Sequence, residues 1–469
     1  LKGSYSHKIM QNMKIMKQFM EPQSVALIGV SRHTGEGAFN ILENLLGYGY
    51  RGRIYPINPS ISEILGVKTY SNIAEIVDNI DLAVVATPRE LVPQLVKECA
   101  DRNIKAIEIV AQGFLDATDE EGKQLQEEID RIARASQVRI LGPNTFGTAN
   151  AFINFSSTFI KIKMKKQPIS IICQTGAFFI GFSEMAFIGK GLDLANASDI
   201  SFAEGLEYFG NDSETKVVAL HIEGIHDPKA FVSMSGDISR RKPIVALKTG
   251  HSEQAARAAQ SHTGSLTGRK EVWQAALKQA GIIQVSDLEE LFDLVRTFSI
   301  LPLMKKPKIG VITISGALGV MAIDASKNFD IEIDTLSPKT RNVLNAMAPS
   351  WLRVSNPVDI WPIMITAEPI TKLLIDGLEA LMDDQELGAA LFICAAFDEK
   401  WATSLCQIAS EVAAAHPNKP LVCSIYGPSA GQAIHEMQDV GRAVGFHTPE
   451  RAINALARLN EYSRLRSGL

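Results

Sequence analysis

Two hydrophobic patterns alternate along the chain. Short, mainly apolar runs, at residues 24–30, 53–57, 82–86, 106–110 and 139–141, are separated by stretches such as 91–103 and 119–136. In the latter, apolar positions recur every three or four residues. The runs predict strands buried on both faces, and the periodic stretches predict amphipathic helices. Such strands joined by helices form a parallel sheet covered on both sides, and right-handed crossovers make it doubly wound. This α/β domain ends near Gly142-Pro143-Asn144. A stretch carrying Lys161, Lys163, Lys165 and Lys166 follows and reads as a linker or solvated edge. Residues 1–20 place Lys8, Lys14 and Lys17 among Met10, Met13, Met16 and Met20. They read as a short amphipathic helix or ragged lead-in. Without an apolar core and a small-residue cleavage site, a signal peptide is not expected.

Two further α/β units echo each other. Lys165-Lys166 followed by ISIICQTGA (169–177) matches Lys305-Lys306 followed by IGVITISGA (309–317). Lys242-Pro243-Ile244-Val245 matches Lys419-Pro420-Leu421-Val422 in the same order. Two ordered echoes point to a duplicated domain. The expected organisation is therefore a lead-in (1–20) and three α/β domains at 21–147, 148–303 and 304–469. The length of 469 residues fits three domains at roughly 150 residues each.

Composition narrows the function classes. Lys and Arg number 47 against 52 Asp and Glu, a net charge of −5. No basic field therefore points to nucleic acid or anionic lipid. The five cysteines, at 99, 173, 394, 406 and 423, form no CxxC or Cys/His cluster. That argues against a disulfide framework or a structural zinc and for a reducing, cytoplasmic setting. The longest apolar run, 388–397, is too short to span a bilayer. No GxxxxGK followed by Ser or Thr occurs, so no P-loop is visible.

Candidate chemistry sits at strand ends. The run 24–30 leads into a glycine-rich turn, Gly29-Val30-Ser31-Arg32-His33-Thr34-Gly35-Glu36-Gly37. Such a turn brings backbone N–H groups and a helix N-terminus to an anion. A dinucleotide fold would end its second strand in Asp or Glu to hold ribose hydroxyls. Here that strand ends Ile57-Asn58-Pro59, which argues against NAD and an oxidoreductase. The loop AARAAQSHTGSLTG (255–268) surrounds one imidazole, His262, with small residues that give it few packing duties; a surface histidine without chemistry is the alternative. Each repeat opens with a strand running into a helix start, at Gln174-Thr175-Gly176 and at Ile314-Ser315-Gly316. Unpaired N–H groups and about half an elementary charge at each suit a dianionic phosphate. Thr175 and Ser315 could equally be ordinary N-caps. Glu223, at the end of the strand beginning near 216, could hold an imidazole N–H and fix its tautomer, or could simply be exposed.

These residues carry a resemblance. The chain resembles the α subunit of the NDP-forming acyl-CoA synthetases, the ADP-forming acetyl-CoA synthetase group related to succinyl-CoA synthetase. The most specific element is Ser261-His262-Thr263-Gly264. Supporting it in order are Gly29–Arg32, Tyr55-Pro56-Ile57-Asn58-Pro59, Gln112-Gly113-Phe114, Leu141-Gly142-Pro143-Asn144 and Ser355-Asn356-Pro357-Val358-Asp359. The resemblance implies an N-terminal Rossmann-like CoA-binding domain and two flavodoxin-like, succinyl-CoA synthetase-like domains. It implies a ligase that interconverts acyl-CoA, inorganic phosphate and ADP with a carboxylic acid, coenzyme A and ATP. It further implies that His262 is phosphorylated, that Glu223 contacts it, and that Thr175, Gly176, Ser315 and Gly316 hold the phosphate. Coenzyme A is then expected at Gly29, Ser31, Arg32, Asn58, Pro59, Thr87, Pro88, Gln112, Gly113 and Asn144. The acyl pocket is expected at Gln174, Phe178 and Asn196. Magnesium-bound ATP or ADP would come through an ATP-grasp β subunit, giving a hetero-oligomer with no nucleic acid, membrane or metal on this chain. A non-catalytic coenzyme A or acyl-CoA sensor is the rival reading, disfavoured by the intact histidine loop. The sequence departs from the family pattern at Thr175 (usually Ser), Phe178 (Leu), Ala195 (Gly) and Thr145 (Cys). These departures bear on which acyl group is used.

Overall fold

The computed structural model describes residues 2–184, 188–250, 254, 270–365 and 369–468. The chain divides into two compact units, Leu1–Val285 and Ser286–Leu469. Among the described residues the first unit contains two large sheets and one small antiparallel pair, Glu63–Ile64 with Val67–Lys68.

The first sheet has five parallel strands in the spatial order Arg53–Ile57, Ser24–Ile28, Leu82–Val85, Ala106–Ile109 and Arg139–Leu141. These are the five runs read from sequence, each shortened by at most two residues. The strand order reverses between Ser24–Ile28 and Leu82–Val85. That reversal opens a crevice beyond their carboxyl ends, the standard ligand position in an open α/β sheet. Helix Glu120–Ser136 starts behind Asp119, whose carboxylate accepts from Gly122 N–H at 2.7 Å.

The second sheet orders Ile283–Val285, Ile244–Lys248, Val217–Ile222, Ile169–Cys173 and Lys190–Asp193 in parallel, then adds an antiparallel pair, Thr148–Asn150 and Phe155–Ser156. Its reversal lies between Ile169–Cys173 and Val217–Ile222.

Residue contacts weld the two sheets into one unit. Arg139, the first residue of the last strand of sheet one, pairs with Asp199 at 2.9 Å and Glu204 at 2.8 Å. Glu108, fully buried in sheet one, accepts from Thr148 Oγ1 of sheet two at 3.0 Å. The lead-in is helix Lys2–Met20, and it is not ragged where it meets the core. Met16, Phe19 and Met20 are buried, and Asn150 Nδ2 donates to Met20 O at 3.0 Å. Within the lysine-rich stretch Ile162 is buried, and Tyr48 OH both accepts from its N–H and donates to its carbonyl. Lys161, Lys163, Lys165 and Lys166 face solvent around it.

The second unit is a five-stranded parallel sheet ordered Val358–Asp359, Ile309–Thr313, Ala389–Ala395, Leu421–Tyr426 and Val444–Phe446. Its reversal lies between Ile309–Thr313 and Ala389–Ala395. Helix Leu288–Ile300, which the repeat echo puts before the boundary at 303, packs in this unit. Arg451 reaches Asp293 at 2.7 Å and Glu289 at 2.7 Å, and Phe298 meets Tyr462 edge-on at 5.5 Å. All five cysteines are buried and free. Among the described residues no helix is long and apolar enough to cross a membrane.

Candidate active site

Gly29 and Thr87 lie at the strand-order reversal of sheet one, and Gln174, Thr175, Gly176 and Glu223 at that of sheet two. In sheet one, Gly29 follows Ser24–Ile28 with φ +84°, and a Cβ there would lie 2.6 Å from both Ala86 O and Thr87 Cγ2. Only glycine lets the two loops of the crevice touch. Asn40 caps helix Ile41–Tyr48 through Glu43 N–H, and its Nδ2 donates to Ser31 O and His33 O at 3.1 and 3.0 Å. One side chain thus fixes both turn and helix start. The Gly35 N–H is occupied by the Glu43 carboxylate at 3.0 Å, so it is not among the donors open to an anion. Asn58 Nδ2 donates to Val30 O at 3.2 Å, and Pro59 and Arg32 are exposed. Thr87 lies across the crevice. Its Oγ1 is buried without a hydrogen-bond partner among the described residues, and Pro88 beside it is exposed. An orphaned hydroxyl in that position fits a polar ligand, since a buried unpaired polar atom is costly. Gly113 has φ +96°, Gln112 is exposed, and Asn144 has φ +65° with its N–H donating to Ala111 O at 2.9 Å.

In sheet two, Gln174 follows the central strand Ile169–Cys173 and is 4% exposed. Its Oε1 accepts from the N–H groups of Glu223 (2.8 Å) and Gly224 (3.0 Å). One side chain therefore ties together the two strand ends that flank the reversal. Thr175-Gly176 leads directly into helix Ala177–Glu184. Gly176 is glycine for a packing reason: a Cβ would sit 2.0 Å from the Phe146 ring. Phe146 in turn lies 4.6 Å from Phe159, and Phe159 lies 5.8 Å from Phe39, so three aromatic rings run from the first crevice to the Thr175-Gly176 turn.

Below Glu223 the strands carry two groups that the sequence reading passed over. His221 is 3% exposed and stacks on Phe178 at 4.2 Å. Burial, then the charge of Lys248, pushes its imidazole down to about 4, so it is neutral. Its Nε2 lies 3.2 Å from Thr249 Oγ1. Phe178, expected in the acyl pocket, is 9% exposed. Lys248 donates to Glu223 O at 3.0 Å and to Thr249 O, and its ammonium stands 4.9 Å over the Trp273 ring. Burial lowers Lys248 to about 8, against the attraction of the Glu223 carboxylate. Lys248 and Thr249 thus fix the strand end that leads toward the histidine loop. His262 itself lies outside the described residues.

Beside the Thr175 turn, Asp193 is fully buried, and burial raises its carboxyl to about 7 against N–H bonds from Phe146 (2.8 Å) and Ala195 (3.3 Å). Thr145, where the family pattern has Cys, donates its hydroxyl to Asp193 O. Asn196 is 4% exposed, with Nδ2 donating to Asp116 at 2.8 Å. A cavity of about 690 Å³ adjoins Ala197 and Gly224, but its walls include Asp199, Glu204, Glu207 and Asp227. That lining does not suit a carboxylate substrate.

In the second unit, Ser315 precedes helix Gly316–Ser326 without capping it, and its own N–H donates to Thr313 Oγ1 at 3.0 Å. The capping alternative therefore fails at Ser315. Asp359, ending the neighbouring strand, accepts from Trp361 N–H at 3.1 Å, with Oδ2 3.2 Å from where a Gly316 Cβ would lie. Among the described residues no group of three or more His, Cys, Asp or Glu could hold a metal ion.

The likenesses to known proteins agree with this fold. Residues 23–151 match the CoA binding domain family and residues 166–298 the succinyl-CoA ligase like flavodoxin domain family. The chain is 38% identical over 356 residues to an ADP-forming acetate–CoA ligase of Methanocaldococcus jannaschii, covering 74% of this chain and 49% of that one. It is 32% identical over 460 residues to the α subunit of ADP-forming acetate–CoA ligase I of Pyrococcus furiosus, covering 96% of this chain and 98% of that one. The chain thus spans about half the length of the first relative and nearly all of the second. Among solved structures, a dinucleotide-forming acetyl-coenzyme A synthetase 1 from Ca. Korarchaeum cryptofilum, in complex with phosphate and ADP, superposes with a TM-score of 0.87 at 27% identity over 96% of this chain and 97% of that one. The chain belongs to the NDP-forming acyl-CoA synthetase family, and it spans the part that corresponds to the α subunit of the Pyrococcus furiosus ADP-forming acetate–CoA ligase I.

Proposed function

We propose that this chain is the acyl-transferring and phosphohistidine-bearing half of an ADP-forming acyl-CoA synthetase. It would interconvert acyl-CoA, phosphate and ADP with a carboxylic acid, coenzyme A and ATP. The observation that carries the reading is the Gln174 bridge, which holds Glu223 and the Thr175-Gly176 helix start together at one sheet reversal. Inorganic phosphate at Thr175-Gly176 attacks the thioester carbon, the C–S bond breaks, and coenzyme A leaves as the thiol. The His262 imidazole then attacks phosphorus, the bond to the acyl oxygen breaks, and the carboxylic acid leaves. Glu223 holds the other imidazole N–H, so the attacking nitrogen carries its lone pair. A helix N-terminus stabilises phosphoryl charge without reorganising at the moment of transfer.

Coenzyme A fits the crevice of sheet one, where Gly29 admits close approach and Thr87 Oγ1 lacks a protein partner. Ser31, Arg32, Asn58, Pro59, Pro88, Gln112, Gly113 and Asn144 complete that site, and Ser315-Gly316 is the second phosphate seat. An ADP oxygen takes the phosphoryl group from His262 as the P–N bond breaks. That step belongs to an ATP-grasp partner subunit that brings the magnesium nucleotide, which makes the assembly a cytoplasmic hetero-oligomer. The test mixes this chain with an ATP-grasp β subunit, ADP, phosphate and a panel of acyl-CoA thioesters. ATP that forms with wild type and not with His262→Ala supports the reading. Coenzyme A binding without ATP formation for any thioester favours the sensor, and full turnover by this chain alone refutes the partner.

A further inference from the structure

Asp116 belongs to none of the motifs above, yet it touches two of them. Its Oδ2 accepts from Gly113 N–H at 2.8 Å, and its Oδ1 accepts from Phe114 N–H at 3.1 Å and from Asn196 Nδ2 at 2.8 Å. The first two bonds are local and would serve any tight turn. The third crosses 80 residues of sequence, from a loop of sheet one to a loop of sheet two. On the near side, Gly113 is held at both backbone groups, because Arg89 Nη1 donates to its carbonyl at 2.9 Å. On the far side, Asn196 stands between two alanines in the left-handed region, Ala195 at φ 47° and Ala197 at φ 49°. Such a backbone persists only where its surroundings over-determine it. The Asp116 bond and the Asn196 N–H to Pro143 O bond at 3.4 Å do so here. Asn196 Oδ1 is buried and has no hydrogen-bond partner among the described residues.

We propose that Asp116 is a positioning residue that couples the coenzyme A loop at Gln112-Gly113 to the Asn196 loop beside the phosphoryl-transfer site. Asn196 Oδ1 is left to accept a donor from the arriving coenzyme. The pantetheine arm of coenzyme A carries amide N–H and thiol S–H donors, the chemistry that a buried amide oxygen lacks here. Asn196 thus acts as the far end of a latch rather than as a passive wall of the acyl pocket. This inference rests on the function proposed above.

The two loops report different steps, which makes the coupling measurable. Coenzyme A affinity is read by calorimetry on the purified chain. Phosphoryl labelling is read with labelled phosphate and saturating acetyl-CoA, with the ATP-grasp partner present. Asp116→Ala and Asn196→Ala are each expected to weaken coenzyme A binding about tenfold, and the double variant well short of a hundredfold, because both break the same Asp116–Asn196 connection. Asp116→Ala is also expected to slow labelling at saturating thioester. Asp116→Asn keeps one acceptor oxygen and is expected to lose less, which separates positioning from a collapsed loop; melting curves accompany every variant. Wild-type affinity in Asn196→Ala, or losses that multiply to about a hundredfold in the double variant, overturns the coupling alone. Failure of the wild type to bind coenzyme A overturns the functional reading and the coupling with it.

Discussion

Replacing Gln174 by leucine keeps its approximate volume and removes one acceptor that serves two backbone donors. In the wild type those donors are the N–H groups of Glu223 and Gly224, at 2.8 and 3.0 Å from Oε1. Gln174 is 4% exposed, so little water stands ready to replace it. Each such bond contributes about 0.5–1.5 kcal/mol net, and both together roughly 1–3 kcal/mol. At about 1.4 kcal/mol per factor of ten, local opening becomes roughly 5- to 150-fold more frequent. Amide hydrogen exchange reads this at the two residues concerned. Faster exchange is expected at Glu223 and Gly224, while Val218 to Leu220 in the same strand stay protected by their ladder bonds. Phosphoryl labelling should fall in parallel, because Glu223 no longer has a fixed origin. Unchanged exchange at Glu223 and Gly224 in Gln174→Leu refutes the reasoning, as does acceleration spread evenly along the strand.

Other expectations follow from single residues. Gly29→Ala must place a Cβ 2.6 Å from Ala86 O in a left-handed backbone, so coenzyme A affinity should fall at least about tenfold; calorimetry that finds wild-type affinity contradicts the crevice geometry. Burial raises the Glu108 and Asp193 carboxyls to about 7 from 4.5 and 3.8. The folded first unit then binds more protons than the unfolded chain between those values. Buried His221, lowered to about 4, acts in the opposite sense up to about 6.5 and offsets one carboxyl, so stability should fall as pH rises from about 4 to about 7 by a net of up to about 1.4 kcal/mol per pH unit. Urea midpoints that rise across that window would refute it. Arg451→Ala strands the buried Asp293 carboxylate with Arg296 alone and should cost the second unit about 2–3 kcal/mol. Tryptophan fluorescence follows this unfolding, since Trp351, Trp361 and Trp401 lie in that unit, and a loss under about 0.5 kcal/mol contradicts it.

The strands were legible because burial on both faces leaves short, mainly apolar runs. The ends of those runs pointed to Gly29, Thr175 and Glu223, which the fold then placed at sheet reversals. Partnerships between distant residues were not legible. Asp116 and Asn196 sit 80 positions apart, and nothing in either loop's pattern names the other. Glu108 looked like one polar interruption in a strand, and only the fold supplies Thr148 across the sheet boundary. His221 hid in the run VVALHI, where one polar residue in a buried strand reads as strand and nothing more. Phe178 was read as a pocket wall from the family pattern, and its stacking on His221 is a contact that the pattern does not name. Helix Leu288–Ile300 pairs with Arg451, 158 to 162 positions later, a contact that no local pattern names.

The role of this chain turns on one covalent bond. Wild-type chain would be incubated with acetyl-CoA and inorganic phosphate, digested at alkaline pH, and mapped by mass spectrometry for a phosphoryl group on the peptide that contains His262. A phosphoryl group on His262 that needs both substrates and falls sharply in Glu223→Gln is the expected result. Coenzyme A released with no phosphoryl group on His262, or a phosphoryl group on another residue, would contradict the mechanism at its base.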